Sequence, residues 1–133
     1  MKTFKEILEI DQEVAKLYKA NENLKDGKFG YGYKRFYAKN LTPLLEKYQE
    51  GLQDIYVANA LEDEKTKALI MEKDGSSYSY SKAGKIQCLK EERTFIEEFN
   101  KKEVEIEPYI IKPENLPELT EEQEELFNGV LME

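Results

Sequence analysis

The sequence predicts an α+β chain, mostly helical: an antiparallel helical hairpin, a small antiparallel β-sheet built from a hairpin at 68–81 and a strand at 103–111, and a short C-terminal helix. Three observations carry this. Apolar residues recur at spacings of three and four through the first 58 residues. Asp74-Gly75 sits between two alternating segments. Glu103-Val104-Glu105-Ile106-Glu107 alternates residue by residue.

Residues 3–25 read as an amphipathic helix. Ile7, Ile10, Val14, Leu17, Asn21 and Leu24 form its seam; a polar Asn21 there either sets register or oligomeric state or lies in water on a frayed last turn, and the two readings weigh equally. Asp26-Gly27-Lys28-Phe29-Gly30 then breaks the helix. A second helix starts near Tyr31, with Tyr37, Leu41, Leu44, Tyr48, Ile55 and Ala58 on one stripe and Gly51 in it, where a facing helix can approach closely. A short loop between two such helices predicts an antiparallel pair. Pro43 lacks an N–H and clashes with the preceding turn, so a kink or short break is expected at 40–43.

Asp-Gly accepts positive φ at both turn positions. With that turn, Lys73 faces Ser76, Met71 faces Tyr78 and Leu69 faces Tyr80. Residues 84–101 return to helix, with Ile86, Leu89, Ile96 and Phe99 as the expected buried stripe and Arg93 snorkelling outward from beside it. The alternation at 103–107 turns Val104 and Ile106 inward and three glutamates outward. An isolated hairpin is marginal, so this strand is expected to join the one at 68–81. Thr120-Glu121-Glu122-Gln123 is a capping box that opens the last helix, whose apolar face is Leu126, Phe127, Val130 and Leu131. No repeat or long linker divides the 133 residues, and one domain spanning 1–133 is expected.

Composition narrows the chemistry. There is no histidine, and Cys88 is the one cysteine. This excludes His-dependent nucleophile systems, thiolate or histidine zinc sites and an internal disulfide. Cys88, beside Leu89, reads as a buried, inert thiol. The glutamates at 91, 92, 97, 98, 121, 122, 124 and 125 fall where a solvated helix face places them, with no apolar setting to raise a pKa. No catalytic residue, cofactor or metal site is expected, and the chain is read as a non-enzyme. No run of apolar residues is long enough to span a membrane. The opening Met1-Lys2-Thr3-Phe4-Lys5-Glu6 lacks the apolar core of a signal peptide, and a reducing cytoplasm is expected.

Net charge is −8, unevenly spread. Residues 1–90 carry 16 cations and 14 carboxylates, whereas residues 91–133 carry 4 and 14. The acidic C-terminal part repels phosphates and suits a basic protein surface or plain solvation, so nucleic acid is a disfavoured partner there. Glu103, Glu105 and Glu107 form the candidate acidic face. The most unusual segment is 25–39, with five Lys/Arg against one Asp, three glycines at 27, 30 and 32, and interleaved aromatics. Lys28, Phe29, Tyr31, Tyr33, Lys34 and Arg35 are its candidate interaction patch. Such a mixture can stack bases and hold phosphates. It also reads as an interhelical turn with tyrosines packed inward and lysines in water.

The layout resembles a group of short proteins of tailed phages and prophages. The residues that carry this are Tyr33-Lys34-Arg35-Phe36-Tyr37-Ala38-Lys39-Asn40 opening a long helix, Glu72-Lys73-Asp74-Gly75, Glu103-Val104-Glu105-Ile106, and Leu116-Pro117-Glu118-Leu119-Thr120-Glu121-Glu122-Gln123. The resemblance covers roughly 30–131. It implies a protein made in a bacterial host's cytoplasm or carried in the virion, and it supplies no catalytic residues. A virion, tail or assembly component that binds other proteins is the leading expectation, with homo-oligomerisation through helical seams as one route. A host-directed inhibitor using the acidic face and a weak nucleic-acid binder using 25–39 are the alternatives.

Overall fold

The computed structural model describes residues 2–72 and 77–133. The Asp74-Gly75 turn, with Lys73 and Ser76, lies outside the described residues. The chain is mostly helical with one small antiparallel sheet: β1 (Lys2–Thr3), α1 (Phe4–Ala20), a 3₁₀ turn (Glu22–Asp26), α2 (Lys28–Phe36), a π-helical turn (Tyr37–Leu41), α3 (Thr42–Asn59), α4 (Lys82–Lys101), β2 (Glu103–Val104), a 3₁₀ turn (Pro113–Asn115) and α5 (Glu121–Phe127). It divides into two compact units, residues 1–45 with 100–133, and residues 46–99. No helix among the described residues is long and apolar enough to cross a membrane.

In the first unit, α1 opens on a capping box that the sequence reading passed over. The Thr3 hydroxyl accepts from the Glu6 N–H at 3.2 Å, and the Glu6 carboxylate accepts from the Thr3 N–H at 3.0 Å. Phe4, Ile7, Ile10, Val14 and Leu17 are all buried along one stripe. The helix ends at Ala20 rather than near 25. Asn21 is exposed and caps the following turn, its side chain accepting from the Asn23 N–H at 3.2 Å, so it holds no place in a seam. The α1 stripe is spent inside this unit. Ile10, Val14 and Leu17 share a core with Phe29, Tyr33, Phe36, Ile111, Phe127, Val130 and Leu131. Each fully buried side chain of this size contributes about 1.5–3 kcal/mol.

The break expected at 26–30 is confined to Asp26 and Gly27: α2 starts at Lys28, three residues ahead of the expected start at Tyr31. Phe29, Tyr33 and Phe36 lie at helical spacing and are buried, and that burial outweighs the low helix propensity of the glycines. Gly30 sits where any Cβ would meet the Lys25 carbonyl oxygen at 1.9 Å, so the 3₁₀ turn can fold over α2 only with glycine there.

Pro43 leaves its mark as a π-helical turn in the residues before it. The Thr42 N–H reaches back five residues to the Tyr37 carbonyl, and the widened turn keeps the helix continuous past the proline. Thr42 is itself helical at φ −54°, ψ −49°. The turn also carries Asn40 inward, where it is buried. Its amide nitrogen donates to the Phe36 carbonyl at 3.0 Å and the Glu107 carbonyl at 2.8 Å, and its oxygen accepts from the Glu107 N–H at 2.7 Å.

The strand expected over 103–111 is short and has a different partner. Only Glu103–Val104 forms a strand, and it pairs antiparallel with β1, Lys2 opposite Val104 and Thr3 opposite Glu103. Beyond it the chain is held by Asn40 and then by the C-terminal segment. The Tyr109 N–H donates to the Val130 carbonyl at 3.0 Å, and the Ile111 N–H to the Leu131 carbonyl at 2.7 Å. With its backbone taken up this way, the segment does not extend a sheet at 68–81. The capping box of α5 forms as expected, with reciprocal Thr120 and Gln123 bonds of 3.0 and 3.1 Å. Gln123 is buried and donates to the Glu13 carboxylate of α1 at 3.2 Å.

In the second unit α3 and α4 run antiparallel, since low numbers on one meet high numbers on the other. Tyr48 packs on Phe95 and Phe99 at centroid distances of 5.8 and 5.3 Å, the Tyr56 hydroxyl donates to the Glu92 carboxylate at 2.7 Å, and the Asn59 amide donates to Glu91 at 3.1 Å. The expected helical hairpin paired residues 3–25 with the helix after them; from Glu46 onward that helix takes α4 as its partner instead. Gly51 does admit a close neighbour, the Phe95 ring, which a Cβ would meet at 2.3 Å. Of the expected α4 stripe Phe99 is buried and Ile96 half-buried, whereas Ile86 and Leu89 are 52% and 51% exposed; the buried Cys88 and half-buried Phe95 take their places. The described residues of 68–81 take part in two isolated antiparallel bridges. Met71 stands antiparallel to Tyr78, and Glu62 to Leu69.

Two expectations follow. Asn40→Ala leaves the Glu107 N–H and carbonyl without their partner in a part-buried setting and removes the bond to the Phe36 carbonyl, so urea denaturation should show a loss of about 1–3 kcal/mol. Gly51→Ala should destabilise the second unit by about 1–2 kcal/mol in thermal melts despite alanine's better helix propensity, because the Phe95 ring must move; Phe95→Leu in the same chain should return most of that loss.

Candidate functional site

Two surfaces merit description, one in each unit. The first is the outer face of α2. The six residues of the predicted patch separate by helical periodicity: Phe29 and Tyr33 are buried in the core, while Lys28, Tyr31, Lys34 and Arg35 are exposed. Tyr33 donates its hydroxyl hydrogen to the Asp11 carboxylate and makes edge contact with Tyr18 at 6.5 Å. Burial and that bond push its pKa well above the usual tyrosine range, so its hydroxyl is a structural donor. Tyr31 is 59% exposed, the most exposed large apolar side chain among the described residues. Beside it Ile110 stands 41% exposed, and Lys28 and Lys112 flank the hollow between them, with Glu114 on its rim. On the other side of Tyr31, Lys34, Arg35 and Lys39 line a second shallow hollow. The ion pairs among the described residues are Lys2–Glu6 and Lys16–Glu13, so none of these five cations is neutralised within 4 Å.

The acidic face is arranged as its alternation requires. Glu103, Glu105 and Glu107 are exposed and Val104 and Ile106 are half-buried. Lys101 and Lys102, also exposed, precede it.

The second surface is a groove of about 800 Å³ in the second unit. Tyr56, Tyr78 and Tyr80 line it, Met71 and Ile86 form apolar walls, and Lys82 and Lys85 lie at one side. Polar bonds hold its lining: the Gln53 amide donates to the Tyr78 hydroxyl at 2.7 Å, and Tyr56 to Glu92. The Lys85 ammonium lies 5.2 Å from the Tyr80 ring centre, within cation–π range. Elsewhere the same unit exposes Val57, Leu61, Ile70 and Leu89. The sequence reading missed this surface because it assigned Ile86 and Leu89 to the buried stripe. The competing pattern, Cys88, Phe95 and Phe99 at spacings of seven and four, was available in the same residues.

Cys88 is buried, as expected of an inert thiol. Among the described residues no group of three or more His, Cys, Asp or Glu side chains is placed to hold a metal. No protein-family model, curated protein or solved structure matches the chain.

The groove has a titration signature. Its bond to Glu92, with burial adding to it, pushes the Tyr56 pKa from 10.0 up to about 12. A raised pKa means the folded state holds the proton more tightly than the unfolded state. The stabilisation is complete below pH 10.0 and is lost as pH climbs from there to about 12. Following the Tyr56 ring by NMR through that window should show its transition near 12, and Glu92→Gln should bring it back toward the ordinary value.

Proposed function

We infer that the chain is a non-enzymatic bacteriophage or prophage protein that works by binding other proteins, as a virion, tail or assembly component. The observation that carries the reading is the tyrosine-lined groove of the second unit, with the apolar side chains of Met71 and Ile86 on it, 44% and 52% exposed. Apolar side chains gathered around a tyrosine-lined groove are what a protein-binding surface offers, since tyrosine supplies large contact area at low entropic cost. The resemblance of residues 30–131 to short phage proteins supplies the setting, a bacterial host's cytoplasm or the particle itself. In this reading residues 68–81 form a β-hairpin that walls the groove, as Met71 opposite Tyr78 supports.

The test is quantitative mass spectrometry of purified particles of the producing phage against infected-cell lysate. Enrichment in particles at a stoichiometric level is expected for a virion or tail component, and Met71→Lys with Ile86→Lys should abolish it while leaving the circular dichroism of the purified protein unchanged. Incorporation that ignores the groove substitutions would overturn the assignment of this surface. Absence from particles would leave an assembly helper or the acidic, host-directed inhibitor as the protein-binding roles to pursue.

A further inference from the structure

The first unit carries two exposed charged rows of opposite sign. On α2 and the turn after it, Lys28, Lys34, Arg35 and Lys39 are exposed around Tyr31, with no carboxylate within ion-pairing distance. At a rise of about 1.5 Å per residue the row extends about 16 Å from Lys28 to Lys39. On the segment that begins at β2, Glu103, Glu105 and Glu107 are exposed on alternate positions. At about 3.3 Å per residue in extended chain they cover about 13 Å. The rows are opposite in sign, similar in length, and both held on rigid supports. Asn40 fixes the backbone at Glu107, and Phe29, Tyr33 and Phe36 anchor the opposite face of α2 in the core.

We propose that the basic row of one copy docks on the Glu103–Glu105–Glu107 row of a second copy, giving a salt-sensitive head-to-tail association. The surfaces that meet are different, so each added copy presents a fresh row of each sign, and the contact repeats into rings or filaments. Charge complementarity selects this occupant. The basic row takes an acidic partner, and the chain itself supplies one that matches it in length. Tyr31 and Ile110, exposed among the cations, provide the apolar centre of the contact. The proposal rests on the protein-binding reading above but uses a separate surface, and its test uses the purified chain alone, so either can fail without the other.

Sedimentation velocity of the full chain at low and high salt should show oligomers that dissociate as salt rises. Reversing the basic row with Lys34→Glu, Arg35→Glu and Lys39→Glu, or the acidic row with Glu103→Lys, Glu105→Lys and Glu107→Lys, should weaken association at least about tenfold. All six positions are exposed, so circular dichroism should be unchanged. Carrying both sets in one chain inverts both rows and should restore the oligomer. A wild-type chain that stays monomeric at low salt would overturn the proposal. So would a folded six-substitution chain that fails to reassociate, or a loss of equal size from Glu121→Lys with Glu122→Lys on α5, which would mark a general charge effect. Single-stranded RNA bound by a monomeric chain through Lys34, Arg35 and Lys39 would replace the second copy with a polyanion.

Discussion

The first unit depends on one side chain, Asn40. Its amide bonds both the N–H and the carbonyl of Glu107, as a neighbouring strand would, and adds a bond to the Phe36 carbonyl. A buried amide that satisfies two backbone groups at once is costly to replace, because its loss leaves the Glu107 N–H and carbonyl unpaired in a part-buried setting. The bond sets the register of everything after β2. Together with the pairing of β2 to β1, it holds Val104 and Ile106 half-buried and the three glutamates toward solvent. It also leads the chain to where Tyr109 and Ile111 meet Val130 and Leu131. Asn40 points inward because the helix widens into a π turn there, just ahead of Pro43. A local backbone constraint thus decides how a segment 67 residues away is held.

The second unit is built on different physics. Its interior is one aromatic trio, Tyr48, Phe95 and Phe99, supplemented by the buried Cys88 and by polar bonds from Tyr56 and Asn59 to glutamates of α4. Two helices and short bridged segments cannot cover every apolar side chain they carry. Ile86 and Leu89 therefore stay at the surface, and Gly51 is needed so that the Phe95 ring can come close. The exposed apolar groove and the thin core are two consequences of the same economy of structure.

Charge follows the same division of labour. The buried stripes are apolar, and among the described residues no buried side-chain nitrogen or oxygen lacks a partner. The charges are therefore displaced to the outer faces. On α2 that leaves cations around an exposed tyrosine, and along 103–107 it leaves carboxylates on alternate positions. Surfaces sorted by sign in this way act at longer range than single pairs and govern encounter more than affinity.

Periodicity and local caps were legible in the sequence wherever the decisive interaction was short-range. The α1 stripe, the Thr120–Gln123 capping box, the inward Val104 and Ile106 and the buried Cys88 all depend on residues a few positions apart. The irregularity near Pro43 was legible too, because proline acts on its own turn, though not as the π turn that forms. Tertiary structure decided the rest. Two glycines suggested a break at 26–30, but burial of Phe29, Tyr33 and Phe36 carried the helix back to Lys28, with Gly30 serving a backbone crossing that no local pattern announces. The partner of the 103–107 strand, the choice of α4 as the mate of α3, and the exposure of Ile86 and Leu89 all turned on contacts between distant segments. One-dimensional spacing states that a residue lies on a face, whereas only packing determines what that face meets.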